Sequence, residues 1–245
     1  MAILFGLLAG LGVGSSTVLA RVGLQTTNPS VATTISVSAS LVTTGILALL
    51  FEPAVFKALP GMSYLWFLGL GILTFPIARL MNFASVSLIG APRSASIISV
   101  QPLFTATLAI IFLRESVNVA IVVGTISIVV AMVLILAEGQ NSTRLLGIPY
   151  RRFVSGCLVG IAAALCYGLS NTLAKEVVDE HGPPLVSIFF SLLFGSIVLF
   201  TMSARNMRGL HLDRKAILSL TSSGVLSGLG AVSYTHLTLP TNREV

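Results

Sequence analysis

Charge is spaced along this chain in a way that leaves few folds open. Uncharged stretches run over 1–20, 22–51, 58–78, 94–113, 116–137, 153–174 and 182–204, and an eighth begins at Ala216. Each complete stretch holds at least 20 residues. A bilayer core of ~30 Å needs about 20 residues of helix, at ~1.5 Å rise per residue. The stretches are continuously apolar and do not alternate, so they are not strands of a membrane barrel. Only 9% of the residues are charged. A soluble domain carries about 25%, because its surface faces water. Disorder is excluded by a hydrophobic content of 55% and a mean hydropathy of +0.98. The sequence therefore describes an all-α integral membrane protein.

The pattern predicts spans over 3–21, 30–51, 63–85, 91–113, 118–137, 153–175 and 184–204, with an eighth from 216 onward. Met1 opens directly into the first span with no basic leader, so no secretory signal peptide is needed to explain the start. The longest connection, Glu138 to Arg152, is the expected boundary between two halves. Cys157 and Cys166 fall within one span, which argues against a disulfide framework or a metal site. No cofactor is expected. A net charge of +6 is assigned to basic anchors in short loops, with the lipid bilayer as their partner. No basic patch interleaved with aromatics points to nucleic acid.

An internal repeat is visible. Sliding 1–30 onto 155–184 aligns nine identical residues, among them Gly6 with Gly160, Gly14 with Gly168, Ser16 with Ser170 and Pro29 with Pro183. Small residues recur every fourth position in both segments: Ala2, Gly6, Gly10 and Gly14, then Gly156, Gly160, Ala164 and Gly168. Such a strip lets helix backbones approach closely, which is how helices associate in lipid. The implied unit has five helices. An odd number forces two copies into opposite orientations, and an inverted repeat of this kind is a transporter architecture.

Several local patterns sharpen this. Phe83-Ala84-Ser85 closes the third span, and Gly90-Ala91-Pro92-Arg93-Ser94-Ala95-Ser96 opens the fourth. Gln101-Pro102-Leu103-Phe104 places a proline inside the fourth span. Phe112-Leu113-Arg114-Glu115-Ser116 forms a short turn, and Gly124 lies in the fifth span. Together these resemble the EamA type of the drug/metabolite transporter superfamily. The resemblance implies ten helices in two five-helix halves, and export or exchange of small metabolites. Residues 1–137 would then be the first repeat, 138–152 the connecting loop and 153–231 a truncated second repeat. Ten helices at this offset need about 290 residues, and the counterparts of Pro102 and Glu115 would fall at 256 and 269. About eight of the ten helices are therefore expected here. Val232 to Val245 breaks the apolar pattern and resembles a translated transposon-type sequencing adapter, so 232–245 is expected to be a non-native tail.

Orientation receives two answers. The side carrying the N-terminus has Lys57, Arg114 and Lys175, while the other has Arg21, Arg79, Arg93, Arg144, Arg151, Arg152, Arg205, Arg208, Arg214 and Lys215. The positive-inside rule puts the N-terminus outside, whereas the resemblance implies that it is cytoplasmic.

Polar groups inside spans are costly, so each is a site candidate. Arg79 and Asn82 lie three apart on one helical face. Arg79 reads either as a fork for a carboxylate or phosphate, or as a side chain snorkelling to the headgroups. Ser94, Gln101 and Thr105 are expected on one face of the fourth span, with Arg93 at its entrance. Tyr167 and Asn171 are one turn apart with Ser170 beside them, and Ser16 belongs to the first span. Pro102 is expected to kink its helix. Glu115, next to a helix start, reads as a turn-former. All Asp and Glu within 1–231 lie at or beyond span ends, namely Glu52, Glu115, Glu138, Glu176, Asp179, Glu180 and Asp213. That favours a neutral, zwitterionic or anionic substrate over an organic cation. The function expected is a plasma-membrane exporter or exchanger of small polar metabolites, such as amino acids, working by alternating access. A membrane-embedded enzyme and a non-transporting assembly or sensor subunit are the alternatives. His181, His211 and His236 are far apart, and no nucleophile or phosphate-loop motif occurs, so no catalytic residue is assigned.

Overall fold

Proline and glycine decide where the spans begin and end. Pro29 opens one helix and Pro184 another at their first positions, where a missing N–H costs nothing. Gly90, at φ +88° and ψ 160°, separates two helices in a backbone region open almost only to glycine. Its N–H bonds to Val86 at 3.0 Å and its carbonyl receives Ser94 at 3.1 Å, so both helix ends are satisfied through this one residue.

The computed structural model describes residues 2–53, 59–112, 119, 122–130, 134, 149–181, 183–207 and 213–238. The helices are α1 (Ala2–Gly23), α2 (Pro29–Phe51), α3 (Gly61–Ile72), a π-helical turn (Leu73–Arg79), α4 (Leu80–Ile89), α5 (Ala91–Ile98), α6 (Gln101–Phe112), α7 (Tyr150–His181), α8 (Pro184–Met207) and α9 (Arg214–Thr238). Among the described residues, six stretches are long and apolar enough to cross a membrane: Pro29–Phe51, Gly61–Ile89, Ala91–Phe112, Tyr150–Lys175, Pro184–Ala204 and Arg214–Val232. That is fewer than the eight expected. Much of the fifth expected span, 118–137, lies outside the described residues, as do Glu115 and its turn; 122–130 is helical. α9 continues past Val232 into the segment read as a tail.

Pro102 acts differently from a mid-helix kink. The break falls at Ser99 and Val100, just before it, and the exposed proline sits in the first turn of α6. The reason is local: Pro102 lacks the N–H that would bond Ile98, and its ring disfavours helical geometry in the residues before it. One consequence is that Ser94 and Gln101 belong to different helices, so the single polar face expected across the fourth span does not form.

Packing links the two ends of the chain. α1 lies along α9, α2 lies between α8 and α9, α8 packs on α3, and α7 packs on the π turn, α4, α5 and α6. Where helices cross, glycine supplies the space. Gly71 lies against Ser191 and Gly195 of α8, and Gly224 against Ser36 and Ala39 of α2. Gly160 meets Ile97 and Ser85, and Gly168 meets Phe104 and Thr105. Of the strip expected on the first span, Gly10 and Gly14 are not used in this way but face open space, while Gly12 touches Leu226 and Gly230; the surroundings of Ala2 and Gly6 lie outside what is described. Tyr64, Phe67 and Phe190 knit α3 to α8, with the Phe67 and Phe190 rings stacked at 6.0 Å. Outward faces carry exposed Leu11, Val18, Ile46, Leu49, Ile197 and Phe200, surfaces suited to acyl chains.

Candidate substrate site

The centre of the bundle is built around Arg79. Gly61–Ile89 is one continuous span, and Arg79 lies ten residues from its end, about 15 Å at 1.5 Å per residue. Pro76 falls inside the π turn, where the widened spiral accommodates a residue that cannot donate a helix bond. π turns of this kind redirect the side chains beyond them. The Arg79 side chain is 9% exposed and turns into the bundle, so it does not snorkel to the headgroups.

Its partners are neutral. Nη1 donates to Ser227 Oγ of α9 at 2.9 Å, and Nη2 donates to Ser36 Oγ of α2 at 2.8 Å. The guanidinium carbon stands 5.7 Å from the centre of the Phe83 ring, a cation–π contact. Nε is buried without a hydrogen-bond partner. A charged side chain at mid-bilayer costs about 2.5–3.5 kcal/mol even on the most lenient scale. Two hydroxyls and an aromatic face offset part of that cost and neutralise none of the charge.

Other expected residues fall around it at varying distance. Asn82 accepts from Ser94 Oγ at 3.4 Å and neighbours the Tyr167 phenol, which in turn lies in the field of Arg79. Ser170, one turn beyond Tyr167, accepts from Thr74 Oγ1 at 3.0 Å and is buried. Asn171 is exposed on α7, unlike half-buried Tyr167 and buried Ser170. Arg93 is partly buried in the first turn of α5 and exerts its field on Cys157 of α7, ten residues before Tyr167; no contact joins it to the Arg79 cluster among the described residues. Gln101 is partly buried at the start of α6, where its carbonyl accepts from Thr105 Oγ1 at 3.2 Å. Ser16 pairs with Ser223 at 3.0 Å, joining α1 to α9, and is not part of the Arg79 cluster.

Several members of this cluster went unseen in the sequence: Ser36, Ser227, Thr74 and Pro76; Phe83 was read only as part of the motif that closes the third span. A signal was present. Ser36, Ser40 and Thr44 recur every fourth residue in α2, and Ser219, Ser223 and Ser227 do so in α9. In the fold both stripes face inward, and Ser40 Oγ bonds the Gly224 carbonyl at 2.7 Å where the helices cross.

Residues 1–137 and 154–238 match the EamA-like transporter family. The chain belongs to that family. As a family member with six apolar spans among its described residues, it has a multi-pass membrane architecture. One similar protein is the "Uncharacterized transporter YyaM" of Bacillus subtilis (strain 168), 22% identical over 158 residues. The alignment covers 64% of this chain and 50% of that protein, so the chain spans about half the length of this relative.

Proposed function

We propose that this EamA-like protein is a plasma-membrane exporter or exchanger of small polar metabolites, amino acids or related compounds, that works by alternating access between two inverted repeats. The observation that carries the reading is the polar cluster at mid-span. Arg79, Asn82, Tyr167, Thr74 and Ser170 converge with serines from α2 and α9 at the depth where transporters of inverted-repeat design hold their substrates.

Packing supports the repeat. α1 and α7, which begin the two halves, pack on the third span of the opposite half: α1 on α9, and α7 on the π turn and α4. α2 and α8 cross those same partners in the reciprocal sense, α2 on α9 and α8 on α3. Each of the latter crossings rests on a glycine, Gly224 or Gly71. Glycine contacts are flat and give little resistance to sliding, which suits a rocking motion between halves.

The test is counterflow in proteoliposomes. Vesicles preloaded with one metabolite of a mixed panel (amino acids, hydroxy acids, polyols) should take up the labelled form of a substrate saturably, faster than protein-free vesicles. A panel that shows no saturable flux above those controls would overturn the reading.

A further inference from the structure

We propose that the Arg79 guanidinium is the anchor for a carboxylate, and that the substrate class of this transporter is small organic monoanions. This rests on the transport reading and narrows it.

The argument begins with charge. Arg79 stays protonated at any working pH, is buried, and meets no carboxylate among the described residues. None of the six described spans contains an Asp or Glu, so among the described residues the span that holds Arg79 and the serine-bearing faces opposite it offer no counter-charge. Buried charges in proteins are paired. An arginine kept at mid-span with hydroxyl partners is therefore matched to an anion that comes and goes.

Geometry points the same way. The guanidinium is a planar fork suited to a two-oxygen acceptor. Here its two Nη groups are splayed onto hydroxyls from two different helices, and Nε has no acceptor. The Ser36 and Ser227 oxygens occupy the positions that carboxylate oxygens would take. Each accepts from Arg79 and keeps its own proton to donate. The lining adds further donors, Tyr167 and Thr74, and the Asn82 amide. Stoichiometry selects the class: one fixed positive charge neutralises a monoanion, whereas a phosphate dianion would leave a net negative charge in the interior of the bundle. The exchange also has a structural consequence. A carboxylate that takes the Nη donors releases Arg79 from both Ser36 on α2 and Ser227 on α9, which frees the α2–α9 crossing as substrate binds.

The experiment is equilibrium binding to the protein in nanodiscs, in chloride-free buffer. The probes are acetate, pyruvate, benzoate and N-acetylglycine, with benzamide as the neutral isostere of benzoate and phenyl phosphate as the dianion. At least one monocarboxylate should bind, with benzoate at least tenfold tighter than benzamide and phenyl phosphate. R79Q should weaken the carboxylate by about thirtyfold or more. Four silent carboxylates, equal binding of benzoate and benzamide, tighter phenyl phosphate, or a folded R79Q that binds undiminished would each overturn the proposal. If R79Q does not fold, the acid–amide comparison on the unaltered protein still decides. Flux of neutral metabolites without anion preference would sink this inference and leave transport standing. Arg79-dependent carboxylate binding without any flux would do the reverse.

Discussion

Two glycines on one helix should respond oppositely to the same substitution. Gly69 and Gly71 lie two residues apart on α3. A Cβ on Gly69 would meet nothing within 4 Å, whereas one on Gly71 would press on the Ser191 carbonyl and reach Gly195 N at 3.2 Å. Those atoms are backbone, so no rotamer change relieves the contact and α3 and α8 must separate. A gap of about 0.5–1 Å forfeits a quarter to a half of each contact across the crossing, and overpacking of this kind costs about 1–3 kcal/mol. Replacing glycine by alanine within a helix gains up to about 1 kcal/mol at either position. That gain cancels when the two variants are compared. G69A should therefore be more stable than G71A by about 1–3 kcal/mol, or roughly five- to 150-fold in the unfolding constant. The assay is unfolding by SDS in mixed micelles, followed by the fluorescence of Trp66, the chain's single tryptophan, which lies on the same helix. Equal stabilities within about 0.3 kcal/mol would refute the tight crossing of α3 on α8, and with it the glycine contact assigned to the rocking motion.

Other expectations follow from the same contacts. S36A and S227A should each destabilise the substrate-free protein by about 1 kcal/mol, because each leaves a buried cationic donor unpaired; the same SDS titration reads this. S16A and S223A remove a hydroxyl pair between α1 and α9 and should cost about 0.6 kcal/mol apiece, the mean for bonds between membrane helices. G168L drives a side chain into Phe104 Cβ, 2.7 Å from the position of a Cβ at 168, and should abolish the monodisperse peak in size-exclusion chromatography. G14L, whose side chain would enter open space, should leave that peak unchanged.

The spacing of charges was enough to read helical spans, because a bilayer admits only segments that satisfy their own backbone bonds. Gly90, Pro29 and Pro184 set helix ends for equally local reasons, though only the structure showed the two prolines in that role. The polar candidates were harder. Arg79 could be named from its cost in lipid, yet its choice between snorkelling and turning inward was not local. Pro76, passed over in the sequence, sits in the π turn that ends at Arg79. The serine stripes of α2 and α9 were visible as a period of four. Nothing along the chain said that the two would meet, since Ser36 and Ser227 are separated by most of the sequence.

Glycine strips show the same division. Periodicity alone gave Gly10 and Gly14 the same standing as Gly160 and Gly168, but only the second pair is crossed closely by another helix. What the sequence determined by itself is what each residue costs in lipid, and hence that these segments are helical and span. Only the tertiary structure decided which faces meet. In lipid the apolar face of a helix gains little by choosing protein over acyl chains. Partners are then selected by shape and by a few polar contacts between distant segments, and neither is written in any one helix.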